Sequence, residues 1–335
     1  MVSLSIVIVN YKTPQLLTDC LDSLFQYATG IDYEVIVVDN NSADASKSII
    51  QNRFRQVRWI QLDYNAGFAR ANNEGIRRSS GEAVLLLNSD TLLTDNAIGN
   101  CFTDFQQSPY LACGVQLLNR DGTPQISGNY FMKGGLNNLL ALPYTGTFVK
   151  FLGTLFNVKK PHVPDAGSAI EVDWINGAFL MVKKPAIDKA GLMDEDFFLY
   201  AEEAEWCARL RKIGKLVIYG QYKIIHLQGE TSNATFGSKT SGYQNLYDRK
   251  GLQIMLSNFV RIRKQWGRGW FIFHLLMYSL TVPVYLLCIP VSAIFAFRNP
   301  GPELGRWTAF VRNMASLWRY FPKIYSNRPY FYKVL

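Results

Sequence analysis

Residues 84–93 read VLLLNSDTLL. The run from Val84 to Leu87 is apolar enough for a strand buried on both faces, as in a parallel sheet. It breaks at Asn88-Ser89-Asp90 and resumes at Leu92. A carboxylate at the end of a buried strand is costly unless a cation or a hydrogen-bonded ligand compensates it. Asp90 therefore has two readings. It caps a helix beginning near Thr94, where Asp is favoured, or it belongs to a ligand-binding edge.

The preceding residues bear on that choice. SIVIVNY (5–11), EVIVVDN (34–40), VRWIQL (57–62) and AVLLLN (83–88) are strand-like runs. Between the first two, Gln15–Tyr27 places Leu16, Leu17, Cys20, Leu21 and Leu24 on one helical face, and NEGIRRSS (73–80) reads as helical before the fourth. This alternation predicts an α/β fold with a mostly parallel central sheet, whose ligands gather at the carboxyl ends of the strands. Those ends carry Asn10-Tyr11, Asp39-Asn40-Asn41, Asp63-Tyr64-Asn65 and Asn88-Ser89-Asp90. Turn chemistry accounts for Asn and Asp in general but not for Tyr11. A dinucleotide fold would need GxGxxG where NYKTPQLL stands, and no GKS or GKT loop is present. A bound diphosphate then needs another counter-charge, which a metal held by Asp90 would supply.

Composition narrows the class. A chain of 335 residues with 48% hydrophobic content forms a sizeable core, in two lobes or one domain with an appendage. Cys20, Cys101, Cys113, Cys207 and Cys288 are scattered and contain no CxxC pair, so neither a disulfide framework nor a zinc site is expected. MVSLSIVIVNYK has no basic n-region and reads as a first strand rather than a signal peptide. The net charge of +9 is concentrated late in the chain: from Arg298 onward there are seven basic residues against Glu303 alone. Arg261, Arg263, Lys264 and Arg268 lie just upstream, and between the two groups residues 270–297 carry no charge and are long enough to span a bilayer. That distribution points to an anionic membrane surface and not to nucleic acid. Basic flanks on both sides, with Pro283 and Pro290 inside, favour a re-entrant or interfacial hairpin over a tilted single span.

Five motifs in order, SIVIVNYKTP, VIVVDNNSAD, NAGFARANNEGIRRSSGEAVLLLNSD, WINGAFLMVKK and DEDFFLYAEEAEWCARLRKIG, resemble family 2 inverting glycosyltransferases of the GT-A fold. The resemblance covers residues 3–230 and is strongest to the bacterial rhamnosyltransferase-like branch. It implies a nucleotide-diphospho-sugar donor, with Asn10, Tyr11 and Asp39 at the nucleotide and Asn65, Gly67, Arg70 and Asn73 near the base and diphosphate. Asp90 matches the last acid of the family's Asp-x-Asp motif, a ligand of Mg²⁺ or Mn²⁺, while Asn88 stands where that motif begins with Asp. His226 in KIIHLQGETS matches a further metal ligand; a lone His in an apolar strand is otherwise more often structural. The family pattern Glu-Asp falls on Glu202-Glu203, which makes Glu203 the general base and Glu202 its reserve. The same two acids also suit an ordinary helix start, in a helix expected from Glu202 to Ile213.

The implied reaction is a single displacement with inversion. The branch leans to rhamnose from dTDP-rhamnose and to a lipid-linked saccharide acceptor, at the cytoplasmic face of the bacterial plasma membrane in cell-envelope polysaccharide synthesis. Residues 1–115 are then the donor half, 116–240 the acceptor and catalytic half, and 241–335 a helical membrane-associated region. LLNRDGTPQIS (117–127) reads as a hairpin around Asp121-Gly122. VDWINGAFLMVKK (172–184) reads as a strand pair with Trp174 and Gly177 at its bend, where Trp174 either stacks on an acceptor sugar or fills core. Residues 130–168 suit a loop over the site. A nucleotidylyltransferase would need a Gly-rich basic loop after the first strand. A processive synthase would carry several spans and QxxRW, which QWGRGW (265–270) does not match. A catalytically inactive scaffold need not keep Asp90, Glu203 and His226 together.

Overall fold

The computed structural model describes residues 2–156, 162–163, 165–227, 235–238, 245–297 and 299–334. Arg298, residues 157–161 and 164, and the Gln228–Ser232 end of KIIHLQGETS lie outside the described residues. In chain order the elements are β1 (Leu4–Asn10), α1 (Pro14–Tyr27), β2 (Tyr33–Asp39), α2 (Ser46–Arg53), β3 (Arg58–Gln61), α3 (Gly67–Arg77), β4 (Ala83–Asn88), β5 (Thr91–Leu92), α4 (Ala97–Gln106), β6 (Ala112–Leu118) and β7 (Gly128–Asn129). A 3₁₀ segment (Lys133–Ala141) and α5 (Thr145–Leu155) follow, then β8 (His162–Val163), β9 (Ala169–Val172), β10 (Trp174–Ile175), β11 (Phe179–Lys183), α6 (Lys184–Ala190), α7 (Glu202–Leu210), β12 (Leu216–His226), α8 (Arg249–Ala296) and α9 (Gly301–Ser326).

These elements cluster into two compact units. The first comprises Met1–Tyr130, His162–Phe198 and Glu202–Thr231; the second comprises Phe131–Pro161, Leu199–Ala201 and Ser232–Leu335. In the first unit the main sheet runs β3-β2-β1-β4-β11-β6-β12-β5, with β9 also on β12. β3, β2, β1, β4, β6 and β12 share one direction, and β11, β5 and β9 run against them. This is the expected α/β architecture. Strands β1 and β4 are buried on both faces because side chains such as Ile6, Ile8, Leu85 and Leu87 point to one side and Val7, Leu86 and Val84 to the other. Helix α1 covers one face with Leu17, Cys20, Leu21 and Leu24.

Three local expectations change. Residues 172–184 are not a strand pair: β10 joins β7 in a small three-stranded sheet, whereas β11 inserts between β4 and β6 of the main sheet. The corner is made by Asn176, whose Nδ2 donates to the Ile126 carbonyl and whose Oδ1 accepts from the Ala178 amide. Helix α3 begins at Gly67 and ends at Arg77, because Ser80 is captured by Glu34 through both its amide and its hydroxyl. Asp90 caps nothing, since α4 begins only at Ala97. The hairpin around Asp121-Gly122 is present, closed by Asn119 and Thr123 backbone bonds.

In the second unit, α8 has one break in its helical dihedrals, at Gly267 (φ 88°). At Pro283 and Pro290 the dihedrals stay helical, so the chain does not reverse there. Both prolines lie on the exposed side of the helix, while the opposite side is held by the Thr281 hydroxyl on Thr145 (3.0 Å) and the Tyr285 hydroxyl on Glu303 (2.7 Å). The chain reverses instead at Phe297, which takes a left-handed conformation (φ 49°), and α9 returns along α8. The 3₁₀ segment docks on α8 through Gly134 (φ +66°), where an added Cβ would lie 2.2 Å from the Trp270 ring. Gly134→Ala should cost about 1–3 kcal/mol, from the left-handed backbone together with overpacking. Thermal unfolding of the full chain checks this, and an unchanged midpoint would contradict it.

Candidate active site

The carboxyl edge of the main sheet is built by buried polar side chains that answer one another. Asp39 at the end of β2 is 2% exposed and accepts hydrogen bonds from Asn10 Nδ2 (2.7 Å), the Ser42 amide (2.9 Å), the Ser42 hydroxyl (2.5 Å) and Gln61 Nε2 (2.7 Å). Four donors match the lone-pair capacity of a carboxylate, so Asp39 ties the ends of β1, β2 and β3 together. Tyr11 stands next in the chain, partly exposed, with the Lys12 ammonium 5.4 Å from its ring centre.

Asn40, which the sequence reading leaves unassigned, performs the same service for the following loop. Its Oδ1 accepts from the Ala66 amide (2.7 Å), and its Nδ2 donates to Asn65 Oδ1 (3.1 Å). Asn65 Oδ1 also accepts from the Gly67 amide (3.1 Å). Gly67 is required by close approach, because a Cβ there would fall 2.3 Å from the Phe198 carbonyl oxygen. Arg70 Nε donates to the Glu195 carbonyl, and fully buried Asn73 exchanges side-chain hydrogen bonds with both backbone groups of Met193. Gly67, Arg70 and Asn73 thus hold residues 193–198, the segment that leads toward α7.

Asp90 is brought to its partner by strand pairing. The chain leaves β4, turns, and lays β5 antiparallel on β12 at the far side of the sheet, pairing Thr91 with His226 and Leu92 with Ile225. The Leu227 amide closes the ladder on the Asp90 carbonyl (2.9 Å). His226 Nε2 then lies 3.4 Å from Asp90 Oδ1 and 3.4 Å from Asn88 Nδ2. His226 Nδ1 is 3.0 Å from Gln125 Oε1, and Gln125 Nε2 donates to the His226 carbonyl (2.7 Å). The Gln125 amide thus fixes the imidazole from its Nδ1 side and aims Nε2 at Asp90.

That donor set fits a hard divalent cation. Two ligands in adjacent octahedral positions at about 2.1 Å from Mg²⁺ stand about 3 Å apart, close to the Asp90–His226 separation. Among the described residues no group of three or more His, Cys, Asp or Glu side chains could hold a metal. Such a cation would therefore complete its shell with substrate phosphate oxygens and water, as Mg²⁺ commonly does.

The two acids of α7 differ sharply. Glu202 is 3% exposed, and its Oε2 has no hydrogen-bond partner. Burial first, then the neighbouring Glu203 charge, push the Glu202 carboxyl well above the usual carboxylate range. Glu203 is partly exposed and lies against Gly177, where an added Cβ would sit 3.5 Å from Glu203 Cγ. The next residue, Ala178, accepts the Asn88 amide on its carbonyl (3.1 Å), which links Glu203 to the end of β4. The rest of α7 is anchorage: Trp206 Nε1 donates to the Gly191 carbonyl, and Arg209 pairs with Glu205 while donating to the carbonyls of Ala190 and Leu192. The helix ends at Leu210, short of Ile213. Trp174 is half-buried, and its Nε1 lacks a partner; Asn129, directly opposite in the β10–β7 ladder, has a buried Oδ1 that also lacks one.

Residues 5–164 match the profile described as Glycosyl transferase family 2. The chain carries a family 2 glycosyltransferase domain. Among curated relatives it is 30% identical to the low-salt glycan biosynthesis hexosyltransferase Agl10 of Haloferax volcanii, over 62% of each protein. It is 26% identical to the dTDP-rhamnosyl transferase RfbF of Shigella flexneri, over 59% of this chain and 61% of that one. Identity to the N-acetylglucosaminyl-diphospho-decaprenol L-rhamnosyltransferase of Mycobacterium tuberculosis is 25%, over 64% and 73%. The match spans less than two thirds of the Haloferax and Shigella proteins' own length. A mannosyltransferase from Pyrobaculum calidifontis, solved with GDP-Man and Mn²⁺, superposes with a TM-score of 0.55 at 13% identity over 94% of this chain and 87% of that one. That likeness shows the GT-A-like fold of this chain.

Two expected outcomes follow from the edge. Gln125→Ala should weaken divalent-cation affinity about 10- to 100-fold by releasing the His226 ring, without unfolding the chain. Titration with Mn²⁺ in the presence of dTDP measures it; unchanged affinity would remove Gln125 from the site. Glu202 stabilises the fold most below its unfolded value of about 4.3, and this contribution falls as pH rises toward the raised folded value. Glu202→Gln removes that dependence, so its stability relative to wild type should climb as pH increases above about 4.3 in denaturant titrations.

Proposed function

We propose that the chain is a metal-dependent inverting glycosyltransferase that moves rhamnose from dTDP-rhamnose to a hydroxyl of a lipid-linked saccharide at the cytoplasmic face of the plasma membrane. The observation that carries this reading is the convergence of Asp90 and His226 Nε2 at the carboxyl edge of the sheet. The names of the Shigella and Mycobacterium relatives support the donor sugar, and the second supports a diphospho-polyprenol acceptor. Asp90 and His226 would hold Mg²⁺ or Mn²⁺, which neutralises charge on a departing diphosphate.

The chain's own residues supply the rest. Asn10, Tyr11 and Asp39 form the nucleotide end of the edge, with Asn65 and Arg70 beside it. Glu203, the partly exposed member of the α7 pair, takes the proton from the acceptor hydroxyl while that oxygen forms its bond to the anomeric carbon. The bond from that carbon to the diphosphate oxygen breaks on the opposite face, with inversion. Glu202 beside it is buried, with its carboxyl pushed well above the usual range, and is turned away from the acceptor. The orphan Trp174 N–H and Asn129 carbonyl oxygen together suit a sugar hydroxyl, which accepts from one and donates to the other.

Glu203→Gln should keep dTDP-rhamnose binding and lower turnover about 10²- to 10⁴-fold, the usual contribution of a general base. Glu202→Gln should lower it far less. Rates and donor affinity measured side by side test the assignment, and a reversed order would make Glu202 the base.

A further inference from the structure

The second unit exposes far more apolar surface than a folded domain normally leaves in water. On α8 the exposed large side chains include Leu276 (58%), Leu280 (56%), Leu287 (71%), Val291 (53%) and Ile294 (71%), with Leu286 and Phe295 flanking them. Their spacing of three, four or seven residues puts them on one face. The opposite face, with Phe271, Leu275, Tyr278, Tyr285 and Ile289, is buried. Helix α5 repeats the pattern with Phe148 (60%), Phe151 (61%) and Leu155 (64%), again three and four residues apart. The two helices are joined in the same unit by the Thr281–Thr145 hydroxyl pair (3.0 Å), the Tyr144–Ser292 hydroxyl pair (2.7 Å) and the Tyr144–Tyr285 ring contact.

A segment of mean hydropathy 1.9 passes the length and composition test for a bilayer span. Its partner helix argues against crossing. α9 runs antiparallel beside it: Phe271 stacks on Phe321, Ser279 accepts from Trp318, and Val282 accepts from Trp307. Arg312 lies between Trp307 and Trp318 in α9, so it sits level with the middle of the apolar segment, and it is exposed. A crossing of the membrane by α8 would carry Arg312 to mid-bilayer, where a charged side chain is most costly. Arg306, Arg319 and Lys323 are exposed along the same helix.

We propose that α5 and the distal half of α8 form a single lipid-docking plate that lies in one anionic phospholipid leaflet without crossing it, with basic α9 at headgroup level. The plate deepens the membrane part of the proposed function and is independent of which sugar is transferred. It assigns to α5 a role in membrane docking, in place of a loop over the catalytic edge. Charge complementarity selects the occupant. The excess of basic residues attracts anionic lipid and would repel the same surface on a second copy.

The test uses the full chain without donor or acceptor. Wild type should sediment with vesicles containing phosphatidylglycerol and bind pure phosphatidylcholine vesicles about tenfold or more weakly. Phe151→Glu combined with Leu155→Glu should weaken binding to the anionic vesicles about tenfold while leaving the unfolding temperature unchanged. As a milder probe, Phe151→Cys in a Cys288→Ala background, labelled with a polarity-sensitive fluorophore, should shift to the blue on those vesicles. Wild-type binding by the double variant, or a probe that stays in water, would overturn the role of α5. Loss of a wild-type dimer in the double variant with vesicle binding intact would assign the face to a second copy instead. Labelling of Ser326→Cys from the far side of sealed vesicles would establish a crossing. Vesicle binding that holds while rhamnose transfer fails would sink the proposed function and leave the plate standing.

Discussion

The two-residue ladder between Thr91–Leu92 and Ile225–His226 is the constraint on which the catalytic edge depends. β4 and β12 lie on opposite sides of β11 and β6 in the main sheet, so their ends would not meet on their own. By sending β5 across to β12, the chain delivers Asp90 to His226 and lets Gln125 orient the imidazole from behind. The buried acid that interrupts an apolar run at residue 90 is thereby accounted for. It faces the His226 imidazole across 3.4 Å.

The same logic separates the two glutamates at the start of α7. They are adjacent in sequence and equally suited to a helix N-terminus, yet a helix turns neighbouring side chains about 100° apart. Glu202 is turned into the protein, where burial pushes its carboxyl well above the usual range, whereas Glu203 faces Gly177 at the edge. Gly177, next to the Asn176 corner, leaves room for it and couples it, through Ala178 and Asn88, to the end of the strand that leads into Asp90.

Much of this was legible in the sequence because it is local. The β-branched runs, their polar ends and the amphipathic α1 follow from period and composition within short windows. What was not legible is long-range. Gln125 lies 101 residues from His226, and nothing in TPQIS marks it as the imidazole's partner. Asn40 looks like ordinary turn chemistry until its amide is seen to hold the loop at Asn65–Gly67. The insertion of β11 between β4 and β6, and the switch of 172–184 from one sheet to another, depend on pairings that periodicity does not encode. Pro283 and Pro290 stay within helical dihedrals on the exposed side of α8, and the reversal falls at Phe297, which no proline signal marks.

The central claim is that Asp90 and His226 jointly hold a divalent cation together with the donor diphosphate. Pulsed electron paramagnetic resonance of Mn²⁺ bound to the full chain with dTDP tests it most directly, because a coordinated imidazole imposes a nitrogen modulation on the echo. The account predicts that modulation in the wild type, its loss in His226→Gln with the fold intact, and markedly weaker Mn²⁺ binding in Asp90→Asn. Bound Mn²⁺ with no imidazole nitrogen in the wild type, or binding untouched by either substitution, would contradict it.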